Sequence, residues 1–203
     1  MRSDALRSGS LSRCAYFAVV SWCRWPSSLP IIGKPKPAPA PIAAFHLLLF
    51  TGCRLREILH LRWAEIDFER GMLFLPDSKT GRKAVVLNAP ALQVLTTLPR
   101  VGEFVIVGDD PKKPRSDLKR PWDLVRSHAG LQDVRIHDLR HTHAAIGAGA
   151  GLGLPIIGKL LGHRHADTTA KYAHLDNDPL RKASNRIGTD LANSLGMPSS
   201  GDR

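Results

Sequence analysis

Cysteine, tyrosine, acidic side chains and long apolar runs are all scarce in this 203-residue chain. The cysteines are Cys14, Cys23 and Cys53, an odd number with no Cys-x-x-Cys spacing. That excludes a disulfide framework and a cysteine-held structural zinc site, and it suits a reducing cytoplasm. No apolar run approaches the roughly 18 residues that a membrane-crossing helix needs. Only Tyr16 and Tyr172 carry a phenolic hydroxyl. Acids number 18 against 29 lysines and arginines, a net charge of +11. So basic a balance favours a polyanionic partner, of which nucleic acid is the commonest. With 43% hydrophobic and 23% charged residues, most of the chain can fold around a core. The length allows one ordinary domain plus tails.

Residues 1–41 differ in texture from the rest. They hold six basic residues and one acid and end in Lys34-Pro35-Lys36-Pro37-Ala38-Pro39-Ala40-Pro41. Prolines in alternation lack amide donors and favour extended geometry, so this stretch reads as an irregular linker. The run from Cys14 to Cys23 faintly resembles a secretory leader, but it is short, holds Ser21, meets Arg24 at once and leads to no small-residue cleavage site.

From Ile42 the pattern becomes periodic. Ile42–Phe50 is apolar almost all round, as in a buried helix, and Gly52 ends it. Leu55, Ile58 and Leu61 mark one face of a second helix. After Gly71 the period falls to two: Met72–Leu75 and Ala84–Leu87 read as strands around the turn Asp77-Ser78-Lys79-Thr80-Gly81, a β-hairpin with Lys79 near its tip. Helices are expected over Pro90–Leu98, Asp117–Ala129, Asp138–Ala150 and Pro155–Leu161. Leu180, Ile187, Leu191 and Leu195 mark an amphipathic C-terminal segment, and residues 196–203 read as a flexible tail. The expected class is mainly α with a small antiparallel sheet.

Two motifs invite a misreading. Gly153-Leu154-Pro155-Ile156-Ile157-Gly158-Lys159 satisfies GxxxxGK, but Leu160 stands where a serine or threonine should hold magnesium, and no strand precedes it. His137 and His141, four apart, imitate a zinc-binding pair, but Arg140 lies between them and no third ligand is evident. Neither a nucleotide nor a metal site is expected.

The informative stretches are Thr51-Gly52-Cys53-Arg54-Leu55-Arg56-Glu57, Ser78-Lys79-Thr80-Gly81-Arg82, His137-Asp138-Leu139-Arg140-His141-Thr142, and Leu161-Gly162-His163 followed by Thr168-Thr169-Ala170-Lys171-Tyr172-Ala173-His174. Each alone reads as ordinary. In this order they resemble the tyrosine recombinase (phage integrase) family, from about Ile42 to Leu195. The resemblance implies the catalytic fold of DNA breaking-rejoining enzymes and a site-specific recombinase or integrase that cuts DNA without metal, ATP or other cofactor. Such a cut needs a nucleophile, an acid for the leaving 5′-oxygen, and cations for the charge on phosphorus. Tyr172 then looks like the nucleophile, giving a 3′-phosphotyrosine. Arg54 and Arg140 match the two catalytic arginines, whose guanidinium forks suit non-bridging oxygens. His137 matches a proton-transfer residue, His163 a histidine that binds the scissile phosphate, and Lys79 the hairpin lysine that protonates the leaving oxygen. Glu57 matches a supporting acid, while Arg56 and Arg82 read as DNA-facing or solvated cations.

The chain departs from the family upstream of Ile42, where a helical core-binding domain usually precedes the catalytic one. The expectation is a catalytic domain over residues 42–195 without that half of the clamp, as a truncated enzyme or a non-catalytic DNA-binding remnant. A type IB topoisomerase would use similar chemistry. The implied partner is double-stranded DNA, with no small-molecule substrate and no membrane, in a homotetramer joined through the segment Leu180–Leu195.

Overall fold

The computed structural model describes residues 39–78, 81–108, 110–131, 133–163, 165, 167–173, 184, 185, 187–189 and 191. Lys79, the first 38 residues and most of the amphipathic C-terminal segment lie outside them.

The first helix, α1 (Pro39–Thr51), starts inside the proline run that the sequence assigns to a linker. The physical reason is that the first amides of a helix have no intrahelical acceptor, so Pro39 and Pro41 forfeit no hydrogen bond there. Phe45, Leu47 and Leu48 are each at most 2% exposed, and α1 packs against both α3 (Ala89–Thr97) and α5 (Asp138–Gly149). Burying a leucine so fully contributes about 1.5–3 kcal/mol, which makes α1 the axis of the core. The Phe45 ring meets Trp122 of α4 (Lys119–His128) edge to face, 5.2 Å between centroids.

A short helix, α2 (Leu55–Leu59), and a 3₁₀ turn (Trp63–Glu65) lead into β1 (Ile66–Asp67), β2 (Met72–Ser78) and β3 (Gly81–Val86). The sheet is antiparallel in the order β1-β2-β3, with Leu73 opposite Val85 and Leu75 opposite Lys83. The expected hairpin is there, and β1 is an added third strand too short to leave a periodic signal. Pairing becomes irregular between Leu75 and Ser78, where Pro76 has no amide to donate. Leu73, Leu75 and Val85 face the core, whereas Phe74 and Val86 face outward.

Asn88 caps α3 by accepting the Ala91 amide at 3.0 Å. α6 (Leu154–Leu161) and the four-residue α7 (Asp167–Ala170) complete the described elements. Besides the main core, a second small cluster joins Ala144 and Ala148 of α5, Ile157 and Leu161 of α6, and Tyr172. Among the described residues no helix is long and apolar enough to cross a membrane. The architecture is the expected one: mostly helical with one small antiparallel sheet.

Candidate active site

The turn after α1 organises the cationic side of the site. Gly52 has φ +64°, and a Cβ there would lie 2.8 Å from Leu161 Cδ2 and 2.9 Å from His143 Cδ2, so glycine is required on two counts. The turn leaves the Gly52 carbonyl free of an intrahelical donor just past the end of α1. Arg140 of α5 donates one Nη to that carbonyl and the other to the Leu161 carbonyl, 2.8 Å away at the end of α6. Carbonyls at helix C-termini lack intrahelical donors and carry partial negative charge, which is why a guanidinium only 5% exposed can be held there. Those two bonds fix the plane of Arg140 and leave it further N–H donors.

Arg54 is oriented from the same turn. Glu57 Oε2 accepts the Arg54 amide at 2.8 Å, and Glu57 Oε1 accepts Arg54 Nη1 at 2.8 Å. Lys83 Nζ of β3 donates to Glu57 Oε2 at 3.1 Å, and both side chains of that pair are at most 6% exposed. Burial alone would raise the Glu57 carboxyl, but the Arg54 amide and the Lys83 ammonium outweigh it and hold the group below its usual range. Arg140 is pushed down by burial and by the like charge of Arg54, so the two guanidiniums lie within electrostatic reach of each other.

Five more residues sit beside these cations. His163, just past the left-handed Gly162 (φ +68°) that ends α6, is hydrogen-bonded through Nδ1 to Thr169 Oγ1 at 2.8 Å. Its pKa falls to about 4, through burial and then the charges of Arg140, Lys171, Arg54 and Lys83. The Tyr172 ring is 6% exposed in the second cluster, and its hydroxyl lies 2.6 Å from His141 Nδ1. Burial pushes that phenol up to about 12 against the pull of Arg140. His141 meets His137 edge to face with centroids 4.9 Å apart, and burial and Lys171 lower it to about 4. Burial, and after it Arg140 and Lys171, lowers His137 as well. The Lys171 ammonium stands 5.2 Å from the centroid of the Tyr172 ring.

A groove of about 1150 Å³ runs past this cluster. Arg54, Arg56, Glu57, His60, Arg62, Leu75, Pro76 and His137 are among its lining residues. Arg54, Glu57, Arg140, His137, His163 and Tyr172 are thus gathered into one region from three of the four informative stretches. Lys79 lies outside the described residues, but Leu75 and Pro76 of its hairpin line the groove. Residues 154–161 are helical, so the GxxxxGK stretch forms no phosphate-cradling loop. His141 and Lys83 are additions to the reading from sequence. Lys83 sits opposite Leu75 at a position whose neighbours point inward, and there its ammonium meets the Glu57 carboxylate. His141, one helical turn from His137, reads from sequence only as half of a metal-binding pair.

Residues 32–178 match the phage integrase family, and the chain belongs to that family. It is 32% identical over 133 residues to the shufflon-specific DNA recombinase of Escherichia coli, covering 64% of this chain and 34% of that protein. The fold is also that of the catalytic domain of bacteriophage HP1 integrase, with a TM-score of 0.58 and 19% identity over 85% of this chain and 90% of that one. The XerH site-specific recombinase, solved bound to palindromic difH substrate, aligns with a TM-score of 0.62 and 19% identity over 86% of this chain and 51% of its own. The chain spans 34% to 53% of the length of the first curated relatives it matches.

Proposed function

We propose that this chain is the catalytic domain of a site-specific DNA recombinase or integrase that breaks and rejoins DNA through Tyr172. The observation that carries the reading is the convergence of Arg54, Arg140, His137 and His163 with one buried phenol, beside a groove lined by Arg54, Arg56 and Arg62. Family membership and the DNA bound by the XerH recombinase of the same fold support it.

The groove takes the duplex backbone, with Arg54 and the remaining donors of Arg140 on the non-bridging oxygens of one phosphate. Their positive charge offsets the negative charge that builds on the pentavalent phosphorus. Glu57 does not react; it aims Arg54. Tyr172, bonded to His141 behind the His137 ring, supplies the attacking hydroxyl. Attack forms the Tyr172 O–P bond and breaks the P–O5′ bond, and Lys79 gives the leaving oxygen its proton. The covalent phosphotyrosine stores the ester energy, so rejoining needs neither metal nor ATP. His163 and His137, neutral near pH 7, bind the phosphate by donating a ring N–H.

Within this reading the DNA complex is a homotetramer in which the segment Leu180–Leu195 reaches a neighbouring copy, and the protein works in the cytoplasm at the nucleoid. Ile187 and Leu191 are 61% and 58% exposed, as such a role requires. The test is a suicide DNA site carrying a nick beside the scissile phosphate. The expected outcome is a protein–DNA adduct stable in detergent, absent from Tyr172→Phe. Salt-sensitive DNA binding with no adduct on any nicked site would leave a DNA-binding protein and remove the enzyme.

A further inference from the structure

We propose that His141 is a catalytic residue, the base that takes the hydroxyl proton of Tyr172. The inference rests on the nucleophilic role given to Tyr172 above.

The contact is direct: Nδ1 and the phenolic oxygen are 2.6 Å apart, within the range of a short O–H···N bond. It is also built in from both sides. Tyr172 is held by the second hydrophobic cluster and by Thr169, whose carbonyl accepts the Tyr172 amide at 3.0 Å. His141 is fixed on α5 one turn beyond His137, whose ring packs on it edge to face. His137 lines the groove, so the hydroxyl bonded to His141 waits one ring behind the place where a phosphate would bind.

A general base must be unprotonated and must face its proton with a lone pair. The charged groups around His141 secure the first condition. Burial, Lys171, His137 and Arg135 disfavour its cation, and Asp138 alone favours it, for a pKa of about 4 in the free protein. Bound DNA brings phosphate charge beside this cluster, which raises the basicity of the imidazole at the moment the proton must move. The second condition requires the neutral tautomer with its proton on Nε2, leaving Nδ1 to accept. In the forward step the phenolic proton passes to Nδ1, the oxygen's electron pair forms the bond to phosphorus, and the P–O5′ pair leaves with a proton from the Lys79 ammonium. Rejoining returns each proton to its source. Of the two histidines in this motif, His141 is the one bonded to the phenol, while His137 faces the groove.

The test uses the full chain and His141→Asn, which keeps a hydrogen-bond acceptor but is a negligible base. On the nicked suicide site, His141→Asn should form the Tyr172 adduct about 10²–10⁴-fold more slowly, the usual contribution of a positioned general base. The deficit should persist on a site whose 5′-bridging oxygen is replaced by sulfur, a leaving group that needs no proton, whereas Lys79→Ala should recover there. An unchanged rate, or full recovery on the sulfur site, overturns the proposal while leaving the recombinase reading intact. Absence of any wild-type adduct strikes that reading instead. Independently of activity, ¹⁵N spectra of the histidine rings should place the His141 proton on Nε2. A proton on Nδ1 would make His141 a donor to Tyr172 and overturn the assignment.

Discussion

Glu57 receives three hydrogen bonds, from the Arg54 amide, Arg54 Nη1 and Lys83 Nζ, in a setting where neither it nor Lys83 is more than 6% exposed. Removing one partner of a buried ion pair leaves the other charge uncompensated, so Glu57→Gln should destabilise the fold by about 3–5 kcal/mol. It should also slow adduct formation by freeing Arg54. The pH dependence separates this effect from others. Because the folded carboxyl lies below its ordinary value of 4.5, its stabilisation is present above that pH and is lost as pH falls through the folded pKa. The histidines act in a higher window: with folded values of about 4 against 6.5, the unfolded chain binds their protons first. Stability therefore falls as pH drops from 6.5 toward 4 in wild type and Glu57→Gln alike. Thermal melts across pH 3–8 check both parts. The wild-type advantage over Glu57→Gln should be constant down to about pH 4.5 and shrink only below it.

The ends of α1 and α6 do more for the site than their middles, because their unsatisfied carbonyls seat Arg140. Gly162, closing α6, holds φ +68°, and a Cβ on it would come within 2.7 Å of Lys83 Cε. Gly162→Ala should cost about 1–2 kcal/mol from the left-handed backbone alone. The Lys83 stem is tethered at its far end by Glu57 and cannot simply swing away, so the cost should rise further. In urea denaturation a double-mutant cycle with Lys83→Ala should show coupling of about 0.5 kcal/mol or more, since shortening the lysine removes the clash. Additive effects would mean that Lys83 and Gly162 do not share space in solution. Elements that bury a repeating face were legible in the sequence: α1 from its apolar run, β2 and β3 from alternation, α5 and α6 from their motifs. Elements set by tertiary contact were not. The two-residue β1 carries no period, and the start of α1 hides in prolines that signal a linker elsewhere. At the site, the order of motifs singles out Arg54, Glu57, His137, Arg140, His163 and Tyr172, which lie together in the fold, while Lys79 lies outside the described residues. Lys83 and His141 escaped because their partners, Glu57 and Tyr172, are 26 and 31 positions away and the pairing exists only once the sheet and α5 are packed.

Among the described residues, the groove and the exposed α5–α6 corner are built from different side chains. The +11 charge supplies Arg54, Arg56 and Arg62 to the groove, where DNA affinity should fall steeply with salt as condensed counterions are no longer released. Away from that groove, Ile146, Leu152 and Ile156 of the α5–α6 corner are 42–56% exposed. Ile146 and Leu152 border an apolar cleft of about 310 Å³ lined by Leu49, Phe50, Ile157 and Leu160 among others. Ile187 and Leu191, close to the C-terminus, are similarly exposed, so they contribute little to the core of their own chain. An exposed apolar surface of this kind marks a contact site, and a segment carrying matching apolar residues can serve a second copy. Deleting everything after Pro179 should therefore change the melting temperature by no more than a few degrees, the usual scale for about 1 kcal/mol in a domain of this size. The same deletion should abolish higher-order complexes on DNA while single-copy binding persists. Sedimentation on a full-length target site reads the assembly and calorimetry reads the fold. If the melting temperature falls as far as assembly does, the segment belongs to the core of its own domain and joins no neighbour.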